Sequence, residues 1–444
     1  MKLVKKLVQL VLKNMKNIIS NKESIIKTWK FSLLDMACGD MIIKAVWIFS
    51  TKLDTALMEE KLPLLLEKYP FLAGRMKSAE SISCNNEGFP FEVVERQDIG
   101  IKNVLKSRHV YDDFSLKLNI KDFKTGKCAP MTVCVTSLSD GAVLSVQMAH
   151  ICMDGRSLYR MMNEWGGLCR GEDVDVQQSV QPEFPKIDFM TKPQAAAILE
   201  KKKWTKLGFK DLVKMLIYSA SKDSKVSCTP LLIDGDKIKR MKAVASQKTG
   251  SEISANSILS AVIVKMVMKL NGLNGKRDYS LLTVADIRGR YKNINADYIG
   301  NASNNIVTRS LKDDCDVFEL AKQIQENISR HAENKDGTMD EYVDLCMNSL
   351  KHKLPYVAFD LPGMNAKKPT TVNINDQHKL PVYDLDFGTG RPVISIPNDL
   401  PDMVKIWPAN DGKGSVMLFF RGYLAKNIVE SGGADEVFNE LMES

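Results

Sequence analysis

The strongest structural signal in the sequence is a β-hairpin that ends at a histidine. Apolar and polar residues alternate over residues 131–137 and again over 142–148, with the turn sequence Ser139-Asp140-Gly141 between them. Alternation with a period of two is typical of strands, and Asp-Gly between two such segments favours a tight turn. The second strand leads directly into His150. The pattern therefore predicts an imidazole at the edge of a sheet, where a cleft can form.

Helical and strand-like segments occur on both sides of this hairpin. Residues 41–50 are rich in β-forming side chains, and residues 53–70 have the three- and four-residue spacing of a helix. Two further helices are predicted over 156–169 and 254–270. Additional strands are expected at 279–285, 303–309, 355–359, 393–396 and 415–420. Strands and helices are mixed throughout, which indicates an α/β fold.

The length of the chain favours two domains. It has 444 residues, which exceeds the usual size of a single domain. The stretch from residue 170 to 228 is polar, rich in lysine and interrupted by proline, and this composition is typical of a connecting segment. We therefore predict a basic N-terminal helix, a first domain that contains His150, a crossover linker and a second domain, at residues 1–27, 28–190, 191–228 and 229–444.

Charge and cysteine content exclude several classes of protein. The net charge of +8 is spread along the chain, with no cluster of basic residues interleaved with aromatics, so we expect no nucleic-acid partner. The nine cysteines include no Cys-x-x-Cys pair and no spacing typical of a zinc site. The sequence therefore predicts a reduced, cytoplasmic protein that binds no metal.

The first twenty residues have a pattern of their own. Apolar side chains recur at helical spacing in residues 1–20, with five lysines between them, which predicts a basic amphipathic helix. The segment lacks the continuous apolar stretch of a signal peptide. Two interpretations stay open: the helix lies on an anionic membrane surface, as a peripheral contact, or it packs on the body of the protein.

His150 has the most informative context of the five histidines. With Asp154 and Gly155 it forms a His-x-x-x-Asp-Gly sequence. Free imidazole titrates at about pH 6.5, so a neutral histidine can take the proton of an alcohol or amine that attacks a carbonyl. We therefore predict that His150 is a general base and that Asp154 is structural, because a carboxylate turned away from the base cannot orient it. Cys152 has no cationic neighbour in the sequence and is predicted to be an inert thiol.

Two signatures connect the chain to a known family. Residues 150–155 resemble the His-x-x-x-Asp-Gly motif of CoA-dependent acyltransferases, and roughly 230 residues later Asp386-Phe387-Gly388-Thr389-Gly390 resembles the Asp-Phe-Gly-Trp-Gly signature of the BAHD acyltransferases. Further similarity to this family lies in Ser32-Leu33-Leu34-Asp35, residues 65–76, Asp286-Ile287-Arg288-Gly289-Arg290 and Tyr298-Ile299-Gly300-Asn301. The resemblance covers nearly all of the chain after residue 28.

The resemblance implies both a fold and a set of roles. The fold is α/β, with two similar chloramphenicol-acetyltransferase-like domains, each a mixed β-sheet flanked by helices, and a substrate channel between them. It implies that His150 is reached by CoA from one face and by the acceptor from the other. It also implies that Asp154 pairs with an arginine of the 286–290 segment, either Arg288 or Arg290. The structural residues of the second signature would be Asp386, Phe387, Gly388 and Gly390.

Two further positions, near or within the second signature, are candidates for contacts with the reacting groups. Thr389 replaces the usual tryptophan of the signature, so its hydroxyl, or a backbone N–H, is a candidate contact for the oxyanion or the acceptor. His378 lies eight residues before Asp386, in a stretch that lines the acceptor side in relatives. An acceptor contact and an ordinary surface histidine both stay open for it. The tryptophan replacement and the basic N-terminal segment indicate a divergent member.

The function predicted from these features is transfer of an acyl group from acyl-CoA to a hydroxyl or amine of a small molecule, in specialised metabolism. We expect a monomer that uses acyl-CoA as co-substrate and needs no cofactor. Two alternatives stay open. A condensation-type enzyme, which takes its acyl group from a carrier protein, shares the histidine motif. A non-catalytic protein of the same fold would bind a membrane surface through residues 1–20.

Overall fold

A computed structural model describes residues 15–107, 110–176, 183–227, 230–272, 277–292, 294–358, 361, 364, 370–397, 402–431 and 434–443. The chain divides into two compact units, and each unit combines segments that are far apart in the sequence. Unit 1 comprises Met1–Phe184, Asp297–Ala302 and Leu380–Asn398. Unit 2 comprises Pro185–Ala296, Ser303–Lys379 and Asp399–Ser444.

Unit 1 contains one large sheet, one small sheet and several helices. Its strands are β1 Met15–Ile18, β2 Thr28–Lys30, β3 Ile42–Phe49, β4 Arg75–Ser78, β5 Ser81–Ser83, β6 Phe89–Arg96, β7 Met131–Leu138, β8 Ala142–Ala149 and β15 Ile394–Pro397. Its helices are α1 Leu33–Ala37, α2 Thr55–Lys68, α3 Ile101–Lys106, α4 Val110–Asp113, α5 Ile120–Lys124 and α6 Gly155–Cys169, with a 3₁₀ turn at Pro70–Ala73.

The large sheet of unit 1 holds the predicted hairpin in its interior. Its strand order is β1-β6-β7-β8-β3-β15, and only β6 and β7 run parallel among these described strands. All eight residues of β8 are buried. A strand covered on both faces needs apolar or internally bonded side chains at every position, so β8 is fixed firmly on both sides. The hairpin predicted at residues 131–148 is confirmed.

Unit 2 has the same kinds of element. Its strands are β9 Thr205–Lys206, β10 Leu231–Ile233, β11 Asp278–Asp286, β12 Ser303–Lys312, β13 Tyr356–Val357, β14 Thr371–Asp376, β16 Met403–Pro408 and β17 Val416–Phe419. Its helices are α7 Lys192–Lys201, α8 Phe209–Ala220, α9 Gly235–Thr249, α10 Ala255–Leu270, α11 Val317–Ala332, α12 Thr338–Lys351, α13 Tyr423–Ser431 and α14 Ala434–Glu443, with 3₁₀ turns at Asp223–Lys225 and Lys335–Gly337.

The core of unit 2 forms around one apolar helix. The sheet order is β10-β17-β16-β14-β11-β12, with β14 parallel to both β11 and β16. Ser254 is the N-cap of helix α10, and its side chain accepts from the backbone N–H of Ser257 over 3.1 Å. Most of its residues are buried, because it is apolar around nearly its whole circumference. The predicted α/β class, with a mixed sheet and flanking helices in each half, is confirmed.

The predicted domain boundaries differ from the two compact units in four places. The first stretch of unit 1 ends at Phe184, before the predicted boundary at residue 190. Residues 380–398, which carry the second signature, belong to unit 1 because β15 completes its sheet by pairing with β3. The short segment Asp297–Ala302 also packs in unit 1. The predicted linker at 191–228 contains α7 and α8 and belongs to unit 2. Local composition identified a lysine-rich stretch, but surface helices can have the same composition.

The predicted N-terminal helix is wrong at its C-terminal end. Met15–Ile18 form strand β1, which pairs antiparallel with β6. An edge strand offers unpaired backbone groups, and pairing with them outweighs the helical pattern of these residues. The described residues 19–27 form no helix either. Residues 1–14 of the predicted helix lie outside the described residues. Among the helices that the structure describes, none has the length and apolarity to cross a bilayer.

Candidate active site

The backbone of His150 is held from two sides. It follows β8 directly, and its N–H donates to the carbonyl of Met41, just before β3, over 2.9 Å. Its carbonyl accepts from the side-chain amide of Asn301 over 2.7 Å. The residue itself is only partly buried. A fixed backbone with a partly accessible side chain is the arrangement that a positioned base requires.

Asn301 is in turn held by a buried carboxylate. It is 1% exposed, and its backbone N–H and side-chain amide donate to Oδ1 of Asp35 over 2.6 and 2.9 Å. The other oxygen of Asp35 accepts from the N–H and hydroxyl of Ser32, both over 2.8 Å. Ser32 and Asp35 together form the capping box of α1. Two segments that the sequence marked only as similarities therefore meet, and one of them contacts the backbone of His150.

The environment of Asp35 is strongly perturbed. Burial raises the pKa of its carboxyl to about 6, against the opposing effect of its hydrogen bonds with Asn301 and Ser32. The carboxylate therefore ionises only near neutral pH. Its negative charge also acts on the neighbouring Cys152, whose pKa is raised well above the ordinary value, first by burial and then by Asp35. A thiol in this environment is a poor nucleophile, which supports the inert role predicted for Cys152.

Asp154 fixes the loop that follows the histidine. It is the N-cap of α6, and its Oδ1 accepts from the backbone N–H of Ser157 over 3.0 Å. Its Oδ2 accepts from the N–H of Ala302 over 3.1 Å, and its own N–H donates to the carbonyl of Gly300 over 3.3 Å. Gly155 is the first residue of the helix. These contacts join the motif loop to the segment that holds His150, and they support a structural role for Asp154.

The backbone conformation at Gly300 explains the glycine of the Tyr298–Asn301 segment. Its φ is +139°, a value that side-chain-bearing residues rarely adopt. A Cβ at this position would also lie 2.8 Å from the ring of Tyr298. Glycine thus allows the turn that brings the carbonyl of Gly300 to Asp154 and the amide of Asn301 to His150.

The second signature forms a self-contained turn. Oδ1 of Asp386 accepts from the backbone N–H groups of Gly388 and Gly390 over 2.7 and 3.0 Å. Both glycines have positive φ, at +94° and +106°. The guanidinium of Arg170 donates to the carbonyl of Asp386. Every described contact of Asp386 thus serves the turn or its attachment to the unit, in agreement with a structural role.

Helix α6 connects the two signatures. Phe387 is 1% exposed, and its ring packs against Trp165 with centroids 4.9 Å apart. A Cβ on Gly166 would lie 2.5 Å from the carbonyl oxygen of Asp386, so the two backbones touch. Asp154 caps the other end of the helix, and twelve residues at a rise of about 1.5 Å separate it from Gly166 by roughly 18 Å. The second signature therefore supports the helix from the end opposite to His150.

The predicted contact of Thr389 with the oxyanion is wrong. Its carbonyl accepts from the hydroxyl of Thr51 over 2.8 Å. Thr51 follows the C-terminal end of β3, whereas Met41, the partner of His150, precedes the N-terminal end of the same strand. Eight strand residues at about 3.3 Å each place the two ends roughly 25 Å apart. The buried Thr389 hydroxyl, which has no hydrogen-bond partner among the described residues, is therefore too distant.

Arg288 and Arg290 hold the turn after β11 in unit 2. Nη1 of Arg288 lies 3.1 Å from Oδ1 of Asp286, in a side chain that is only 2% exposed. Nη1 of Arg290 donates to the carbonyl of Asp286 over 2.9 Å. Both arginines thus bind the segment in which they lie. An ion pair between either of them and Asp154 stays a prediction.

His378 also lies in unit 2, at the end of β14. Its Nδ1 is 2.6 Å from Oδ1 of Asp376, and Oδ2 of Asp376 accepts from the side-chain amide of Asn256 over 2.6 Å. Burial acts to raise the pKa of Asp376, but the hydrogen bonds and charge of His378 and the amide of Asn256 outweigh it and lower the pKa. His378 is therefore a partnered histidine, and its contact with an acceptor stays a prediction.

Within the described ranges, no three histidine, cysteine, aspartate or glutamate side chains lie close enough together to hold a metal ion.

Comparison with known proteins identifies the class. The fold is similar to TRI101 of F. sporotrichioides, solved in complex with coenzyme A and T-2, with a TM-score of 0.67 and 14% identity over 93% of this chain and 98% of that chain. In sequence, the chain is 22% identical to shikimate O-hydroxycinnamoyltransferase of Nicotiana tabacum, over 82% of this chain and 84% of the relative. It is 24% identical to agmatine coumaroyltransferase-1 of Hordeum vulgare, over 87% and 88%.

These similarities define an acyltransferase. The model of the Transferase family matches residues 8–421, which is nearly the whole chain. The chain belongs to this family, the BAHD acyl-CoA-dependent acyltransferases, as a divergent member. The family predicted from the two signatures is thus confirmed.

Proposed function

We propose that His150 is the general base in a direct acyl transfer from acyl-CoA to a small-molecule acceptor. The observation that supports this proposal is that two hydrogen bonds fix its backbone. The N–H of His150 donates to the carbonyl of Met41, and its carbonyl accepts from the side-chain amide of Asn301. No other described histidine ends a central strand of a sheet and is followed by a capped helix. The residue is only partly buried, which leaves part of its surface open to a substrate.

In the proposed reaction the acyl group is transferred directly from CoA to the acceptor. The acceptor oxygen or nitrogen attacks the thioester carbonyl while His150 removes its proton, and a tetrahedral intermediate forms. When the intermediate collapses, the carbon–sulfur bond breaks and the CoA thiolate takes the proton from His150. The products are the ester or amide and free CoA, and the base returns to its neutral form. The sequence of steps requires no covalent acyl-enzyme, no metal ion and no cofactor beyond the co-substrate.

Two physical effects would provide the rate enhancement. A positioned base contributes about 100- to 10,000-fold. Holding two substrates in reactive geometry contributes further by removing the entropy cost of their encounter. Both effects depend on the exact placement of the imidazole, which is why the fixed backbone of His150 supports the proposal.

The acceptor class follows from the relatives rather than from the site. One relative is named for an oxygen acceptor, shikimate, and another for an amine, agmatine. We propose a small hydroxyl- or amine-bearing specialised metabolite as the acceptor of this enzyme. Both nucleophiles suit the same base, because each loses one proton as it attacks.

The test is a thiol-release assay with the full chain. Acetyl-CoA, malonyl-CoA and hydroxycinnamoyl-CoA are each incubated with a panel of alcohols and amines, and free CoA and the acylated product are measured together. The proposal expects at least one donor and acceptor pair that yields product and CoA in equal amounts. Release of CoA that never depends on an acceptor, or transfer that needs a carrier protein, would contradict direct transfer.

A further inference from the structure

Helix α8 presents an apolar stripe to solvent. Phe209, Leu212, Leu216 and Ile217 are 80%, 47%, 71% and 67% exposed. Their spacing of three, four and one residues places them on one side of a helix. Scattered single exposed apolar residues are ordinary, but four large ones on one three-turn helix are not.

The helix is attached to unit 2 by its opposite side. Tyr218 is 7% exposed, and its hydroxyl accepts from the backbone N–H of Tyr423 over 2.9 Å. The same hydroxyl donates to the carboxylate of Asp402. Burial raises the pKa of Tyr218 most, and the hydrogen bond and charge of Asp402 raise it further. The buried attachment fixes the orientation of the helix, so the apolar stripe is a stable feature of the described surface.

The surroundings of the stripe are strongly basic. Residues 201–225 contain eight lysines and two aspartates, whereas the net charge of the whole chain is +8. Lys210 and Lys214 lie on α8 itself and are exposed. Two of the lysines have described acidic partners, Lys202 with Glu341 and Lys214 with Asp211, and these pairs are solvent-exposed. The segment that contains the stripe thus has a net charge of +6, and two of its lysines lie on the same helix as the stripe.

We propose that α8 is a docking site for an anionic phospholipid surface. An amphipathic helix with an apolar face and adjacent lysines is suited to the boundary between lipid headgroups and acyl chains. Each lysine near such a surface adds a favourable electrostatic contribution. The charge argues against a second copy of the chain as the occupant, because two such basic faces repel each other. This inference is independent of the proposed chemistry at His150.

The test is co-sedimentation of the full chain with vesicles. Phosphatidylcholine vesicles that contain phosphatidylserine are compared with pure phosphatidylcholine vesicles, at low and high salt. We expect binding only to the anionic vesicles, and we expect salt to weaken it because salt screens exposed charges. Leu216→Glu should reduce the vesicle partition coefficient by at least about tenfold, because it puts a carboxylate at the lipid face.

Leu232→Glu is the matched control. Leu232 is 62% exposed on the short strand β10 of the same unit, so the substitution makes the same chemical change at similar exposure. It should leave vesicle binding at the wild-type level, and both variants should keep the wild-type melting temperature. The double variant Lys210→Glu/Lys214→Glu should bind less and lose most of its dependence on salt.

Three results would overturn the proposal. The first is a full chain that ignores anionic vesicles. The second is a Leu216→Glu variant that binds like wild type, which would assign any lipid binding to another part of the chain. The third is concentration-dependent dimer formation that Leu216→Glu abolishes in the absence of vesicle binding, which would make α8 a contact between copies.

Discussion

The side-chain amide of Asn301 donates a hydrogen bond to the carbonyl of His150 over 2.7 Å. The same amide bonds to the buried carboxylate of Asp35 over 2.9 Å. Asn301 therefore links Asp35, on helix α1, to the backbone of the proposed base. We therefore predict that Asn301 is a positioning residue for the proposed base.

The first prediction tests this positioning role. Asn301→Ala should lower kcat roughly 100-fold, because a displacement of about 1 Å at a catalytic group has an effect of that size. The free energy of unfolding should also fall by about 1–3 kcal/mol, since buried partners lose their hydrogen bonds. Steady-state kinetics and thermal melts measure the two effects. KM should change much less than kcat.

Asn163→Ala is the control for this prediction. The side-chain amide of Asn163 also donates to a backbone carbonyl, that of Pro381, over 3.0 Å in unit 1. Its loss should affect kcat less than about threefold, because the bond does not lead to His150. Equal losses of kcat in the two variants would show a general effect of weakened structure rather than positioning of the base.

The second prediction concerns the pH dependence that Asp35 introduces. Burial raises the pKa of Asp35 to about 6 from an ordinary value of 3.8. Below about pH 3 the carboxyl is protonated in both the folded and the unfolded chain. Between pH 4 and 6 the unfolded chain has released this proton while the folded chain retains it, so stability falls as the pH rises through this window. Above this pH window the loss of stability is complete and no longer changes with pH.

The comparison of wild type with Asp35→Asn isolates this effect. The variant does not titrate at this position, so its free energy of unfolding should lack this contribution. The difference between wild type and variant should change by roughly 3 kcal/mol between pH 3 and 7. Denaturant titrations at several pH values measure it. A difference that stays constant with pH would contradict the raised pKa of Asp35.

The third prediction separates structure from chemistry at Asp154. In Asp154→Asn, the side-chain oxygen still accepts from Ser157, but the new amide faces the N–H of Ala302. The free energy of unfolding should therefore fall by about 1–3 kcal/mol, and activity should fall with it. Asp154→Ala should be less stable still, because it also loses the helix cap. A variant that melts like wild type but has no turnover would assign a chemical role to Asp154.

The fourth prediction tests the contact between α6 and the second signature. Alanine ordinarily stabilises a helix relative to glycine by about 1 kcal/mol. In Gly166→Ala the new methyl group lies 2.5 Å from the backbone oxygen of Asp386, so we expect a net destabilisation of about 1–3 kcal/mol. Denaturant unfolding measures the change.

Gly167→Ala is its neighbouring control. There the new methyl group meets the ends of the Glu172 and Val174 side chains, at 2.8 and 3.0 Å. These ends can move, so the variant should stay within about 1 kcal/mol of wild type. A Gly166→Ala variant as stable as this control would contradict the close approach of α6 and the Asp386 turn.

The hairpin, the major helices and the fold class were predictable because periodicity is a local property of the sequence. Strands β7 and β8 and helices α6 and α10 all lie within one or two residues of the predicted bounds. The family was predictable because its two signatures are short and contiguous. In both cases the information lies in residues that are adjacent along the chain.

The supports of the site were not predictable in this way. Asp35 and Asn301 are 266 residues apart, and no local pattern indicates that their side chains meet. Residues 297–302 and 380–398 belong to unit 1 because they pack against segments that are distant in the sequence. The same reason explains the error at Thr389, since its position in the signature gave no information about its distance from His150.

The central claim, that His150 is the general base, is tested most directly by the turnover of His150→Ala with a donor and acceptor pair that the wild type accepts. Its thermal melt should match that of wild type, because the backbone contacts with Met41 and Asn301 do not involve the imidazole. Turnover should fall by about 100-fold or more, the contribution of a positioned base. A variant with an unchanged melt that retains a tenth or more of wild-type turnover would contradict the assignment.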